Sequence, residues 1–191
     1  MERTIAFRRV ISAAAIAVAG VFTPIVAIAA TAPAAQAATS RASIPMCTTR
    51  GLDIWMGKTS FDATGTLYYD LQFTNLSGHA CVIQGFPGLV AVNMKGHPIG
   101  HAAVKVSAST SKTAPVLFTL KPLGQVSSTL EVTDPGHFAT STCKATTAAG
   151  LRVYPPQQTT AKIVPFPFLT CALSGDHDLI VTPVVKVPSI A

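Results

Sequence analysis

Apolar and polar residues alternate strictly over residues 66–74. One side of this segment carries four large side chains, Leu67, Tyr69, Leu71 and Phe73. Because successive side chains of a strand point to opposite faces, the pattern predicts a half-buried β-strand. Residues 52–56 alternate in the same way, and there Trp55 falls on the face opposite the apolar residues. We therefore expect Trp55 to face outward.

Short β-branched runs continue the pattern along the rest of the chain, separated by turns that contain glycine or proline. The further predicted strands are residues 81–84, 89–94, 104–106, 116–120, 125–132, 151–154, 162–164 and 179–185. The segment Pro165-Phe166-Pro167-Phe168 is too rich in proline for a central strand and fits an edge. No stretch is long and periodic enough for a crossover helix. The pattern predicts an all-β, immunoglobulin-like two-sheet sandwich, with a small β-barrel as the alternative.

The N-terminus has the order of a secretory signal peptide, which we place at residues 1–37. Arg8 and Arg9 belong to its basic start, an uncharged stretch follows over residues 10–30, and Ala35-Gln36-Ala37 offers a cleavage site. The uncharged stretch has the roughly 20 residues that span a membrane, so an uncleaved anchor is the alternative. Gly20 and Pro24 interrupt the stretch and favour cleavage. Arg8-Arg9 leaves the twin-arginine route open beside the general one.

The signal peptide indicates a secreted, extracellular protein, and the remaining length suits one domain. We expect a disordered leader over residues 38–45 and the sandwich over residues 46–191. The chain has fourteen Lys and Arg against eight Asp and Glu, a formal net charge of +6. Beyond the N-terminal segment these charges are scattered singly, which disfavours a nucleic-acid partner. We expect a soluble monomer with no membrane contact after cleavage.

Four cysteines, Cys47, Cys81, Cys143 and Cys171, lie in the exported part. An even count in an oxidising compartment predicts two disulfides. No two cysteines lie within four residues of each other, whereas structural zinc sites use close pairs. Three connectivities are possible. We favour the sequential one, Cys47–Cys81 with Cys143–Cys171, although the sequence alone does not prove it.

Candidate chemistry in the sequence is weak. His97 and His101, with Met94 nearby, are weak candidate ligands for a soft metal ion, and we favour the interpretation that they are polar loop residues. His177 lies between two aspartates, Asp176 and Asp178, and turn chemistry accounts for that triplet. The sequence has no Gly-x-Ser-x-Gly elbow, and bridged cysteines offer no nucleophile. We expect no enzyme activity, no cofactor and no assigned metal.

Residues 74–88 carry a resemblance to a known family. They read Thr-Asn, a small-residue turn, Cys81, and then Gly-Phe-Pro-Gly. This segment resembles actinobacterial secreted domains catalogued as domain of unknown function 4232, and the similarity continues to Cys171. The resemblance implies export or lipoprotein anchoring, an immunoglobulin-like sandwich, disulfides and no assigned activity. Within this segment Asn75 is expected to bond the turn backbone. Phe86 either plugs the sandwich edge or is displayed as a ligand-binding residue.

These observations lead to a ranked set of functions. We expect a secreted, non-catalytic module that binds an unidentified protein or polymer of the cell envelope or extracellular space, with Trp55 and Phe86 as candidate contact residues. The alternative is an extracellular metal-handling protein that uses the loop histidines. A secreted hydrolase or an enzyme inhibitor is a further alternative.

Overall fold

The computed structural model describes residues 43–61, 65–106, 115–173 and 177–187. These residues belong to one compact unit. The predicted signal peptide, most of the predicted leader, residues 62–64 of a predicted turn, and Asp176 lie outside them. At the end of the predicted leader, the carbonyl oxygen of Pro45 accepts a hydrogen bond from the Val82 N–H at 2.8 Å. Pairing with the sandwich therefore includes Pro45.

The described residues form twelve strands and two 3₁₀ turns, Thr49–Gly51 and Pro135–His137. The strands are β1 (Leu52–Phe61), β2 (Leu67–Asn75), β3 (Cys81–Ile83), β4 (Gly88–Val92), β5 (Pro98–Ala102), β6 (Val104–Lys105), β7 (Phe118–Leu120), β8 (Gln125–Val132), β9 (Ala145–Tyr154), β10 (Lys162–Cys171), β11 (Leu179–Val181) and β12 (Val185–Lys186). The predicted all-β class is confirmed.

Two sheets and a two-stranded ribbon make up the fold. The first sheet has the order β1-β2-β8-β11-β6, with β12 also paired to β8. The second sheet has the order β10-β9-β4-β5, and β3 pairs with β7. The pairing of β11 with β6 is parallel, whereas β1, β2 and β8 pair in antiparallel fashion. The sheets do not close into a barrel, which agrees with the predicted sandwich.

The core lies between the facing sides of the two sheets. Leu71, Phe73 and Leu130 of the first sheet are buried, and so are Leu151 and Val153 of the second. The predicted alternation in β2 is confirmed, since its apolar side chains face this core. Burial of such side chains is the main favourable contribution to folding, about 25 cal/mol per Å² of apolar surface.

Strand β10 is an edge strand, as the proline-rich segment predicts. It pairs only with β9 in the second sheet, and its register shifts between Pro165 and Phe168. Proline has no N–H for the ladder, so an edge with a register shift accommodates both prolines. Pro165 and Pro167 are exposed, whereas Phe168 is buried.

Both predicted disulfides are present with the favoured connectivity. Cys47 bonds Cys81, and Cys143 bonds Cys171. No free cysteine occurs in the described part of the chain, which contains all four cysteines. The first bridge ties the segment before β1 to β3, and the second ties the segment before β9 to the end of β10.

The sequence prediction was wrong about the segment around His101, which it left in a loop. Residues Pro98–Ala102 form β5, paired with β4. Ala91 pairs with Ile99 and Val90 with Ala102. Gly100 and His101 are therefore two extra residues in β5 that have no paired residue in β4. A register shift of this kind breaks the two-residue period that identifies a strand from sequence.

Candidate functional site

A pocket of about 260 Å³ lies between the first sheet and β10. Its lining comprises Gly65, Leu67, Tyr69, Val132, Asp134, Pro135, Pro167, Phe168 and Leu169. Most of these side chains are apolar or aromatic. A largely apolar concavity with a few polar groups is typical of a binding site, although this one is smaller than the pockets that hold drug-sized ligands.

Phe168, in the Pro-Phe-Pro-Phe segment of β10, contributes an aromatic ring to the lining of the pocket. Phe166 and Phe168 lie on the same side of the strand, and their ring centroids are 5.6 Å apart. The Phe166 ring meets Tyr69 edge to face, at 4.6 Å and an interplanar angle of 76°. Such pairs contribute about 0.5–1.5 kcal/mol beyond area burial. The aromatic contacts therefore fix β10 against β2 beside the pocket.

Polar groups stand beside the pocket at the 3₁₀ turn Pro135–His137. The Asp134 carboxylate accepts a hydrogen bond from the Gly136 N–H at 2.7 Å and so caps this turn. Gly65 has a φ of +84°, and a β-carbon there would lie 3.2 Å from Nε2 of His137. Burial raises the pKa of Tyr69 above its ordinary value. The pocket thus offers an apolar floor with a carboxylate at its edge.

Trp55 lies on the outer face of β1, as the sequence predicts, and is 41% exposed. It is paired with Gln72 of β2, which is paired in turn with Ser127 of β8. Ser127 is paired with Val185 of β12, so one row crosses the outer face of the first sheet. An exposed indole therefore lies beside polar neighbours. Its role in binding stays a prediction.

Phe86 is half-buried in the connection between β3 and β4. The preceding Gly85 has a φ of +101°, and its carbonyl oxygen accepts a hydrogen bond from the Val184 N–H at 2.9 Å. The following Pro87 is buried. This connection is thus anchored on both sides of Phe86, which favours the edge-plugging interpretation.

The candidate metal ligands Met94 and His97 lie in an exposed turn before β5. Oδ1 of Asn93 accepts hydrogen bonds from the N–H groups of Lys95 and His97, at 2.9 and 3.0 Å. His97 precedes β5, whereas His101 lies within it. Among the described residues, no group of three or more His, Cys, Asp or Glu is placed to hold a metal ion.

The structure brings His101 to a residue that the sequence did not associate with it. The rings of His101 and His177 have centroids 4.6 Å apart and an interplanar angle of 38°. Turn chemistry alone does not explain the aspartate after His177. Asp178 is buried, and its Oδ2 accepts hydrogen bonds from Thr170 Oγ1 at 2.5 Å and from the Cys171 N–H at 2.9 Å. The sequence contained no local signal for either contact.

Within the described part of the chain, no helix has the length and apolarity needed to cross a membrane.

Comparison with known proteins identifies the family. No curated protein and no solved structure matches the chain. A family model described as a domain of unknown function (DUF4232) matches residues 47–185. The match begins at the first half-cystine, runs to β12 and covers more than half of the chain. The chain therefore belongs to the domain of unknown function 4232 family.

Proposed function

We propose that this chain is an exported, non-catalytic β-sandwich module that binds a protein of the cell envelope or extracellular space. The family and the disulfide-bonded all-β fold are compatible with such a module. The observation that carries the proposal is the apolar pocket between the first sheet and β10. The partner presents an apolar or aromatic side chain to it.

Leu169 makes this pocket suited to a protein partner. It lines the pocket and is 54% exposed, next to the buried ring of Phe168. Removing such apolar surface from water stabilises a complex by about 25 cal/mol per Å² before the costs of association. Binding energy in protein interfaces concentrates where an anchor side chain fills a desolvated pocket. The pocket has this arrangement, with the buried Phe168 at its floor and the exposed Leu169 at its rim.

A matched pair of variants tests the proposal. The full chain, exported by an expressing host, is incubated with the envelope fraction of cells that lack it, and the bound fraction is measured by co-sedimentation. Leu169→Ser should lower binding at least about tenfold, the effect of losing about 1.4 kcal/mol. Ile163→Ser is the control, since Ile163 is 51% exposed on the same strand but does not line the pocket. Equal binding by both variants would exclude the pocket as the contact site.

Trp55 favours a second candidate, binding of an envelope polysaccharide on the outer face of the first sheet. The exposed indole offers a flat surface for the apolar face of a sugar ring, and the amide of Gln72 in the same row can bond hydroxyl groups. Trp55 is the only tryptophan of the chain, so its fluorescence reports this surface directly. Soluble peptidoglycan fragments should shift or quench that fluorescence. An unchanged spectrum at saturating concentration rejects this candidate.

A further inference from the structure

His101 and His177 come from distant parts of the chain and face each other. Their ring centroids are 4.6 Å apart. His101 is half-buried in β5, and His177 is exposed just before β11. We infer that these two imidazoles form a binding site for a divalent first-row transition metal ion, with Cu²⁺ bound most tightly.

The register shift in β5 places His101 against the end of β10. Gly100 has a φ of +60°, a conformation that favours glycine. A β-carbon at Gly100 would overlap the carbonyl oxygen of Cys171. The backbone of β5 therefore packs directly on the last residue of β10, and the extra residue His101 lies beside that contact. Register shifts often redirect a side chain next to a functional site.

The same residue, Cys171, anchors the segment of His177. Its N–H donates to Oδ2 of Asp178 at 2.9 Å, and Thr170 Oγ1 donates to the same oxygen. The carbonyl oxygen of Asp178 accepts a hydrogen bond from the Thr133 N–H at 2.9 Å. The residue after His177 is thus held through both its side chain and its backbone.

The disulfide Cys143–Cys171 fixes this common anchor. Gly100 contacts the carbonyl of Cys171, and Asp178 accepts a hydrogen bond from the Cys171 N–H. The segments that carry the two histidines therefore both contact the same half-cystine. Groups that are already held in position lose less conformational entropy when a ligand binds. The fold therefore prepares the pair for a shared ligand.

The distance between the rings suits a single metal ion. An ion about 2.0–2.1 Å from one nitrogen of an imidazole lies about 3 Å from the centroid of that ring, so two imidazoles in adjacent coordination positions have centroids about 4.5 Å apart. The 4.6 Å between the centroids of His101 and His177 matches this separation, and the rings need only turn their nitrogens toward the ion. Because His177 is exposed, its ring can turn toward the ion without disturbing the core, and water can complete the coordination shell.

The ligand type determines which ions bind. Imidazole nitrogen suits Zn²⁺, Cu²⁺ and Ni²⁺, and for a given site the affinity of these ions is highest for Cu²⁺. The site differs from a loop site made of Met94, His97 and His101, because its second ligand is His177. The two arrangements therefore predict different effects of the same substitutions.

Calorimetric titration of the exported full chain with CuCl₂, NiCl₂ and ZnCl₂ tests the inference. The wild type should take up one ion per chain, and Cu²⁺ should bind most tightly. His101→Phe and His177→Phe each keep a ring for packing but remove the nitrogens, and each should weaken Cu²⁺ binding at least about tenfold. His97→Phe is the matched control and should bind as the wild type does.

Three results would overturn the site: no saturable uptake of any of the three ions, unchanged affinity after His177→Phe, or loss of binding after His97→Phe. Intact mass and near-ultraviolet circular dichroism verify that each variant keeps both disulfides and its fold. A second measurement does not depend on the variants. Cu²⁺ added to the wild type should broaden the ring resonances of His101 and His177 before those of His97, and the reverse order contradicts the site.

Discussion

The side-chain amide of Asn75 donates a hydrogen bond to the carbonyl oxygen of Leu120, 3.0 Å away, and so joins the end of β2 to β7. The same nitrogen donates to the His79 carbonyl at 3.0 Å. Oδ1 of Asn75 accepts from the N–H of Ser77 at 2.9 Å and from its hydroxyl at 2.6 Å. All four hydrogen-bonding positions of the amide are therefore used. The predicted bond to the turn backbone is confirmed, and the bond to β7 adds a long-range connection.

Replacing Asn75 with alanine should lower the free energy of unfolding by about 3 kcal/mol. The substitution removes the hydrogen bond from Asn75 to the Leu120 carbonyl in a buried setting, where such a loss costs about 1–3 kcal/mol, and it also removes a fully buried side chain. Asn93→Ala is the control, because Asn93 bonds two N–H groups in an exposed turn and should cost about 1 kcal/mol. Urea unfolding measures both. Equal losses would mean that burial of Asn75 adds nothing.

Gly100→Ala should destabilise the protein far more than Gly96→Ala. Both glycines have a positive φ, +60° and +76°, and alanine at either position costs about 1–2 kcal/mol for that conformation alone. At Gly100 the new β-carbon also overlaps the Cys171 carbonyl, whereas at Gly96 no atom lies within 4 Å of it. Thermal unfolding of the two variants gives the comparison. Similar transition temperatures would contradict the close contact between β5 and β10.

The strands that could be predicted are those with a sustained two-residue period. For β8 the predicted and observed bounds agree at residues 125–132, and the buried face of β2 was identified residue by residue. The first half of β9 was missed because residues 145–149 are alanine and threonine, which show no apolar alternation. β10 extends past the predicted residues 162–164 because the Pro-Phe-Pro-Phe segment continues it.

The sites depend on contacts between residues that are distant in the chain. Tyr69 reads as a core residue of β2, and only the packing of β10 shows that it lines a pocket with Phe168. His101 and His177 likewise carry no signal of their contact, which follows from the register shift in β5 and the anchoring of Asp178. Local periodicity determines which face of a strand is buried. It does not determine which distant residues meet there.

Removal of either disulfide should destabilise the fold by a similar amount, about 3–4 kcal/mol in the chain-entropy model. The linked cysteines are 34 and 28 residues apart, so the two loops that close are nearly equal in length. The variants are Cys47→Ala with Cys81→Ala, and Cys143→Ala with Cys171→Ala. Alanine is used instead of serine because all four half-cystines are buried, and a serine hydroxyl there would be buried without a hydrogen-bond partner.

Urea unfolding of the two double variants checks this expectation, with the oxidised wild type as reference. The second double variant should also weaken Cu²⁺ binding, because it releases the anchor that the histidine segments share, whereas the first should not. A loss of less than about 1 kcal/mol for either bridge would show that the disulfide adds little to a fold already held by its sheets. Equal Cu²⁺ affinities in the two variants would mean that the Cys143–Cys171 disulfide does not help to position the histidine pair.

Tyr69 should make the stability of the protein depend on pH in the alkaline range. Burial raises the pKa of its phenol in the folded state, whereas in the unfolded chain the pKa is about 10. Above pH 10 the folded state therefore retains a proton that the unfolded state releases. The stability contributed by neutral Tyr69 is complete below the unfolded pKa and is lost as the pH rises through the folded pKa. Tyr69→Phe has no phenol to ionise, so its free energy of unfolding should fall less steeply above pH 10 than that of the wild type. Parallel urea titrations of the two proteins give this difference. Identical slopes would mean that the Tyr69 hydroxyl reaches solvent through the neighbouring pocket and ionises as freely in the folded state as in the unfolded one.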